Sequence, residues 1–167
     1  NKHYSADDGV VDAAIDRILH PVDERPLCIF LGLMYPHTPY GVEEPYFSAI
    51  DRSKLPRRAK QKKAKPRMEA ELKRLMGMDS YTEQDWDELR ACYLGMCLKV
   101  DYQFRRLCDA LKEAGIYDDC AIFFLSDHGD YAGDYDLPEK AQNTFEDCLT
   151  KVPFLIKPPA WEKVAPG

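Results

Sequence analysis

The sequence predicts an α/β layered fold with a largely parallel sheet, and three observations carry that expectation. Two short apolar runs, Leu27 to Tyr35 and Cys120 to Leu125, lack polar alternation, as strands covered on both faces do. A long stretch between them repeats its apolar residues at spacings of three and four, the period of a helix. Helices alternating with apolar strands build a layered sheet rather than a bundle or a sandwich.

In chain order, residues Asp8 to Leu19 place Val11, Ala14, Ile15, Ile18 and Leu19 on one helical face, and Pro21 ends that helix. Asp7 and Asp8 lead into it and read as a cap. The run Leu27 to Tyr35 is predicted as a buried strand, followed by a stiff proline-braced loop, Pro36-His37-Thr38-Pro39-Tyr40-Gly41. From Glu43 to about Tyr81 the chain is polar, basic and proline-bearing, which predicts a long loop with short helical pieces. Thr82 with Asp85 forms a capping box for the clearest helix in the chain. Its stripe runs through Leu89, Cys92, Tyr93, Met96, Val100, Phe104, Leu107, Cys108 and Leu111, and Gly115 stops it. A strand from Cys120 to Leu125 runs into Ser126-Asp127-His128-Gly129-Asp130, and Val152 to Lys157 reads as a third strand before Pro158-Pro159.

At 167 residues the chain is one domain or a large piece of one, and 45% hydrophobic residues suffice for a core. It shows no signal-peptide pattern and opens as if inside a domain, so cytoplasmic and exported locations both stay open. No apolar run approaches the roughly 20 residues that span a bilayer, so no membrane partner is expected. The net charge of −6 is uneven: nine Lys/Arg and no acid lie between Arg52 and Arg67, leaving about −15 on the rest. That acidity, with no aromatics interleaved in the basic run, argues against nucleic acid. The basic run itself reads as a mobile surface loop, or as a device steering an anionic substrate. The six cysteines have no zinc spacing and read as buried free thiols, with disulfides as the alternative in an exported protein.

Three places offer chemistry. Asp127 and His128 end a strand, where ligands bind in open α/β sheets, and give a divalent cation one oxygen and one nitrogen. Two ligands are too few, since Ca²⁺ takes about 6–8 oxygens and Zn²⁺ about four ligands. His37, held between Pro36 and Pro39, presents an imidazole from a loop of little freedom. Lys140 alone reads as a solvated charge.

Taken together and in order, Pro36-His37-Thr38-Pro39, the helix carrying Asp101, Ser126-Asp127-His128-Gly129, Lys140 and Val152-Pro153 resemble the sulfatase family of the alkaline phosphatase superfamily. The histidine in Ser-Asp-His-Gly is similar to the iduronate-sulfatase-like and phosphonate-hydrolase-like branches. The resemblance implies an alkaline phosphatase-like fold, incomplete here, with residues 1–167 a partial catalytic domain and residues 52–67 a basic loop within it. It implies Asp127 and His128 as metal ligands, Lys140 gripping the sulfate oxygens, and His37 contacting the sulfate or its leaving oxygen. The metal it implies is Ca²⁺, with Mn²⁺ or Zn²⁺ as alternatives, and the substrate is a small-molecule or glycan sulfate ester. Such chemistry needs positive charge on the equatorial oxygens and a proton or hydrogen bond at the leaving oxygen.

The family's Cys/Ser-x-Pro-x-Arg motif, which yields the formylglycine nucleophile, does not occur in this sequence, nor does Gly-Lys-x-His. The expectation is therefore the second half of a catalytic domain, partnered by a missing N-terminal half and inactive alone. The alternatives are a phosphonate monoester or phosphodiester hydrolase of the same superfamily, and a non-catalytic anion-binding protein.

Overall fold

The computed structural model describes residues 5–60 and 67–163. Five α-helices and two strands are assigned among them, besides short 3-10 turns: α1 (Ala6–Leu19), α2 (Tyr46–Ala49), α3 (Arg67–Leu75), α4 (Glu83–Glu113), α5 (Asp147–Thr150), β1 (Ile122–Leu125) and β2 (Phe154–Lys157). No helix among the described residues is long and apolar enough to cross a membrane. The described residues divide into two compact units: 5–37, 97–124 and 155–163 form the first, and 38–60, 67–96 and 125–154 the second.

In the first unit, α1 begins as its sequence requires. The Ser5 hydroxyl accepts from the Asp8 amide, and the Asp8 carboxylate accepts from the Ser5 amide at 2.9 Å, closing a capping box. Val11, Ala14 and Ile18 bury the predicted face. Asp8 also accepts from Lys99 Nζ at 2.9 Å and Gln103 Nε2 at 2.7 Å, both on α4. Asp7 is not a cap: its buried carboxylate turns away from its own helix to the backbone amides of Met34 and Tyr35.

Burial opposes ionisation of Asp8, but the Ser5 amide, Lys99 and Gln103 outweigh it and hold the carboxyl well below the ordinary 3.8. A depressed folded value contributes stability above the unfolded value that is lost as pH falls through the folded one. Asp8→Asn is therefore expected to lower the melting temperature at neutral pH and to flatten its fall below about pH 4. Melting curves taken between about pH 2 and 7 check this; parallel curves for the two proteins count against it.

The strands form a two-stranded sheet. Lys157, at the end of β2, donates to the Cys120 carbonyl just before β1, and Gly129, just after β1, donates to the Leu149 carbonyl before β2. The pair is therefore antiparallel. A largely parallel α/β sheet commonly carries such a strand at its edge. In the first unit Phe124 packs on Phe104 of α4 with ring centroids 5.1 Å apart, while Phe123 turns outward and is exposed. Lys157 Nζ also donates to the Tyr117 carbonyl at 2.7 Å.

The segment Leu27 to Tyr35 overturns its prediction. Leu27 to Met34 is assigned no regular structure, and Phe30 is 92% exposed. An apolar run makes a strand only where a neighbour supplies the hydrogen-bond ladder, and no strand flanks it among the described residues. Cys28, expected in that strand, is exposed; Cys92 is buried and all six cysteines are free.

In the second unit, the Thr82–Asp85 capping box starts α4 as predicted. Gly95 in mid-helix permits a close crossing: a Cβ there would stand 2.8 Å from the Tyr46 carbonyl oxygen. Tyr131, Leu137 and Leu149 form a buried cluster flanked by Leu72, Tyr135, Ala141 and Cys148.

The basic run is not simply a solvated loop. The Arg58 side chain is 5% exposed, bonds to Asp136, to Glu83 at 2.8 Å and to the Gly133 carbonyl at 3.0 Å, and lies over the Trp86 ring. Arg52 reaches Glu88 at 3.1 Å, and Lys60 pairs with Glu83. Arg58 and Lys60 thus pair with acids far along the sequence, and the Ala59 amide donates to the Asp134 carboxylate at 2.7 Å. Lys62, Lys63 and Lys65 lie outside the described residues.

Candidate active site

The loop after β1 is shaped by short-range hydrogen bonds. The Asp127 carboxylate accepts the His128 amide at 2.9 Å, and the Ser126 hydroxyl donates to the His128 carbonyl at 2.7 Å. Gly129 then passes so close to the backbone before β2 that a Cβ would fall 1.9 Å from the Cys148 carbonyl oxygen. Its amide donates to the Leu149 carbonyl at 2.8 Å. Only glycine fits that crossing, so the residue types of Ser-Asp-His-Gly are explained by the local backbone as far as Ser126 and Gly129.

The loop presents Asp127 and His128 differently. The Asp127 side chain is 88% exposed, while His128 is half-buried. His128 Nδ1 lies 2.7 Å from the Gly129 carbonyl. In the neutral ring, an Nδ1 that donates there leaves the lone pair on Nε2, the form in which an imidazole binds a metal. Nε2 lies 3.9 Å from Asp127 Oδ1, a spacing that two ligands of one cation can take. The donor set fits a divalent cation as two ligands of an incomplete shell. Among the described residues no group of three or more His, Cys, Asp and Glu could hold a metal ion.

Lys140 belongs to the same unit, and a network that sequence reading missed fixes the segment before it. The Tyr40 hydroxyl meets both Asp130 Oδ1, at 2.7 Å, and the Pro138 carbonyl oxygen. The Thr38 hydroxyl donates to Glu139 Oε2 at 2.7 Å. Tyr40 therefore ties the end of the Asp127–His128 loop to the residues that lead into Lys140. Burial pushes the Tyr40 phenol up, and the facing Asp130 carboxylate adds to this, so the hydroxyl stays a donor. Burial also raises Asp130, against the hydrogen bonds from Tyr40 and the Ala132 amide. No local signal marks these pairings, whose members lie 90–101 residues apart. The only hint was the proline-braced stiffness of the loop carrying Tyr40.

Beside Tyr40, in the same unit, a groove of ≈ 550 Å³ is lined by Ser80, Tyr81, Asp85, Glu88, Leu89 and Cys92. Ser80 and Tyr81 close the polar segment that follows the histidine loop.

His37 belongs to the first unit. Its amide donates to the Met34 carbonyl at 2.8 Å and closes a turn. The Met34 and Tyr35 amides of that turn are those bound by Asp7.

The sulfatase family model matches residues 1–164. A multifunctional alkaline phosphatase superfamily protein of Trinickia caryophylli is 28% identical over 81% of this chain and 29% of its own length. An arylsulfatase of Clostridium perfringens is 25% identical over 90% of this chain and 31% of its own. The crystal structure of a phosphonate monoester hydrolase of Agrobacterium radiobacter superposes with a TM-score of 0.76 at 26% identity, covering 93% of this chain and 33% of that one. The chain thus spans about a third of the relatives it matches.

Proposed function

Because the chain belongs to the sulfatase family, we propose that it supplies part of the active site of a metal-dependent hydrolase that cleaves sulfate esters. The observation that carries this reading is the Asp127–His128 pair, an exposed carboxylate beside an imidazole whose Nδ1 is committed to the Gly129 carbonyl. Hydrolysis takes up one water and yields sulfate and an alcohol. In this reading Asp127 and His128 hold a divalent cation, Ca²⁺ first and Mn²⁺ or Zn²⁺ as alternatives, which supplies positive charge to the oxygens of the transferred group. Lys140 adds charge to the same oxygens, and His37 gives a proton or hydrogen bond to the leaving oxygen. The nucleophile, a formylglycine, and the remaining ligands come from a part of the protein outside this chain. The groove beside Tyr40 and the segment from Glu43 to Tyr81 shape the substrate preference.

Phosphonate monoester hydrolysis is the second reading, favoured by the solved structure that superposes over 93% of the chain. Hydrolysis of p-nitrophenyl sulfate beside phenyl p-nitrophenyl phosphonate by the full-length protein separates the two. A sulfate preference that Asp127→Asn lowers by about 100-fold or more supports the first reading. A phosphonate preference with the same loss moves the assignment to the second. Full activity in Asp127→Asn removes both. The 167-residue chain alone is expected to turn over neither substrate, and enzyme-like rates from it would refute the shared-site reading.

A further inference from the structure

We propose that Asp7 is a positioning residue for His37, holding the turn that presents the imidazole, an inference that rests on the reading of His37 as the group at the leaving oxygen. Three bonds and a buried anchor carry it. Asp7 is 4% exposed. Its Oδ1 accepts the Met34 amide at 3.0 Å, and its Oδ2 accepts the amides of Met34 at 3.1 Å and Tyr35 at 2.9 Å. Met34 in turn accepts the His37 amide, so the carboxylate grips one end of the turn whose other end is His37.

The anchor is rigid. Asp7 stands one residue before Asp8, which is locked by the capping box, by Lys99 and by Gln103, the last two buried on α4. Lys99 also lies over the Tyr35 ring, 5.2 Å from its centroid. The same charged cluster thus holds the backbone and the side chain of the turn. The preceding run, Leu27 to Met34, is assigned no strand among the described residues. A carboxylate accepting adjacent amides makes charge-assisted bonds, stronger than neutral ones. A neutral amide at position 7 offers one carbonyl oxygen and turns an N–H₂ toward the second donor.

The test is steady-state hydrolysis of p-nitrophenyl sulfate and phenyl p-nitrophenyl phosphonate by the full-length protein. The variants are Asp7→Asn, His37→Ala, the double variant and Val11→Ala. Val11 is fully buried on the same helix and has no polar side-chain atom to bond the turn, so it reports loss of stability. The expected result is a kcat lowered about 10- to 100-fold in Asp7→Asn, as misplacing a catalytic group does. The double variant should be no slower than His37→Ala, while Val11→Ala keeps its kcat below its melting temperature. Full kcat in Asp7→Asn beside an impaired His37→Ala overturns the positioning role and leaves the reading of His37 standing. Additive losses overturn it as well. Full activity in His37→Ala removes both. If Asp7→Asn does not fold, hydrogen exchange on the unaltered protein decides. Slow exchange of the Met34 and Tyr35 amides supports the clamp, and exchange at the solvent-exposed rate overturns it.

Discussion

Gly129→Ala is expected to destabilise the chain by roughly 3 kcal/mol and to dismantle the loop bearing Asp127 and His128. The added carbon would lie 1.9 Å from the Cys148 carbonyl oxygen and 2.9 Å from its carbon, both backbone atoms that no rotamer change can move. Relief requires separating the two chain segments, which also breaks the Gly129–Leu149 hydrogen bond. Overpacking by one methyl costs about 1–3 kcal/mol, and a buried hydrogen bond adds about 1 kcal/mol. Gly41→Ala is the control, because a Cβ there meets nothing within 4 Å. Urea unfolding of the three chains reads the difference. A Gly129→Ala midpoint equal to that of Gly41→Ala means the crossing is not as tight as the geometry requires.

The second large effect lies in the basic run. Arg58→Ala is expected to cost about 3–5 kcal/mol, the range for removing one partner of a buried ion pair. It leaves Lys73 as the cation on Asp136, takes the guanidinium from the Gly133 carbonyl, which keeps the Asp136 amide, and uncovers the Trp86 face. Burial by itself would raise the Asp136 carboxyl; the bonds from Arg58 and Lys73 outweigh it and hold that carboxyl below its ordinary value. Arg58→Lys recovers little, since one ammonium cannot span Glu83, Asp136 and the Gly133 carbonyl as the planar guanidinium does. Lys60→Ala, removing an exposed partner of Glu83, is expected to cost under about 1 kcal/mol. Urea midpoints rank the three, and equal losses at Arg58 and Lys60 would refute the buried role of Arg58.

The contrast between those lysines and arginines shows what the chain's local pattern can and cannot say. Spacing and caps give α1 and α4 directly, because a helix is closed by neighbours three and four residues away. The Thr82–Asp85 box and the stop at Gly115, whose φ is +72°, are equally local. Arg58 looks like its neighbours in sequence and differs through hydrogen-bond partners 25, 75 and 78 residues on. Leu27 to Tyr35 fails for the converse reason: apolarity says that a run seeks cover, and its cover is not encoded nearby.

The candidate site divides along the same line. Asp127, His128 and Gly129 are consecutive, so their chemistry is legible as a word. The Tyr40 ties to Asp130 and Pro138, and the Asp7 clamp on Met34 and Tyr35, join residues 27–98 positions apart. Asp7 read as a cap because it stands where caps stand; the box is made by its neighbour Asp8.

The uncovered run before the histidine loop carries its own safeguard. Leu27-Cys28-Ile29-Phe30-Leu31-Gly32-Leu33-Met34 has no charge, and Phe30 is almost wholly exposed, the composition that nucleates cross-β stacking between copies. Its borders are a different matter. Pro26 and Pro36 have no amide proton to continue a ladder, and Asp23, Glu24 and Arg25 crowd one end with charge. These residues act as gatekeepers: they cap the length of any intermolecular strand while the segment is uncovered. Replacing Pro26 or Arg25 to improve packing would therefore trade colloidal stability for local order.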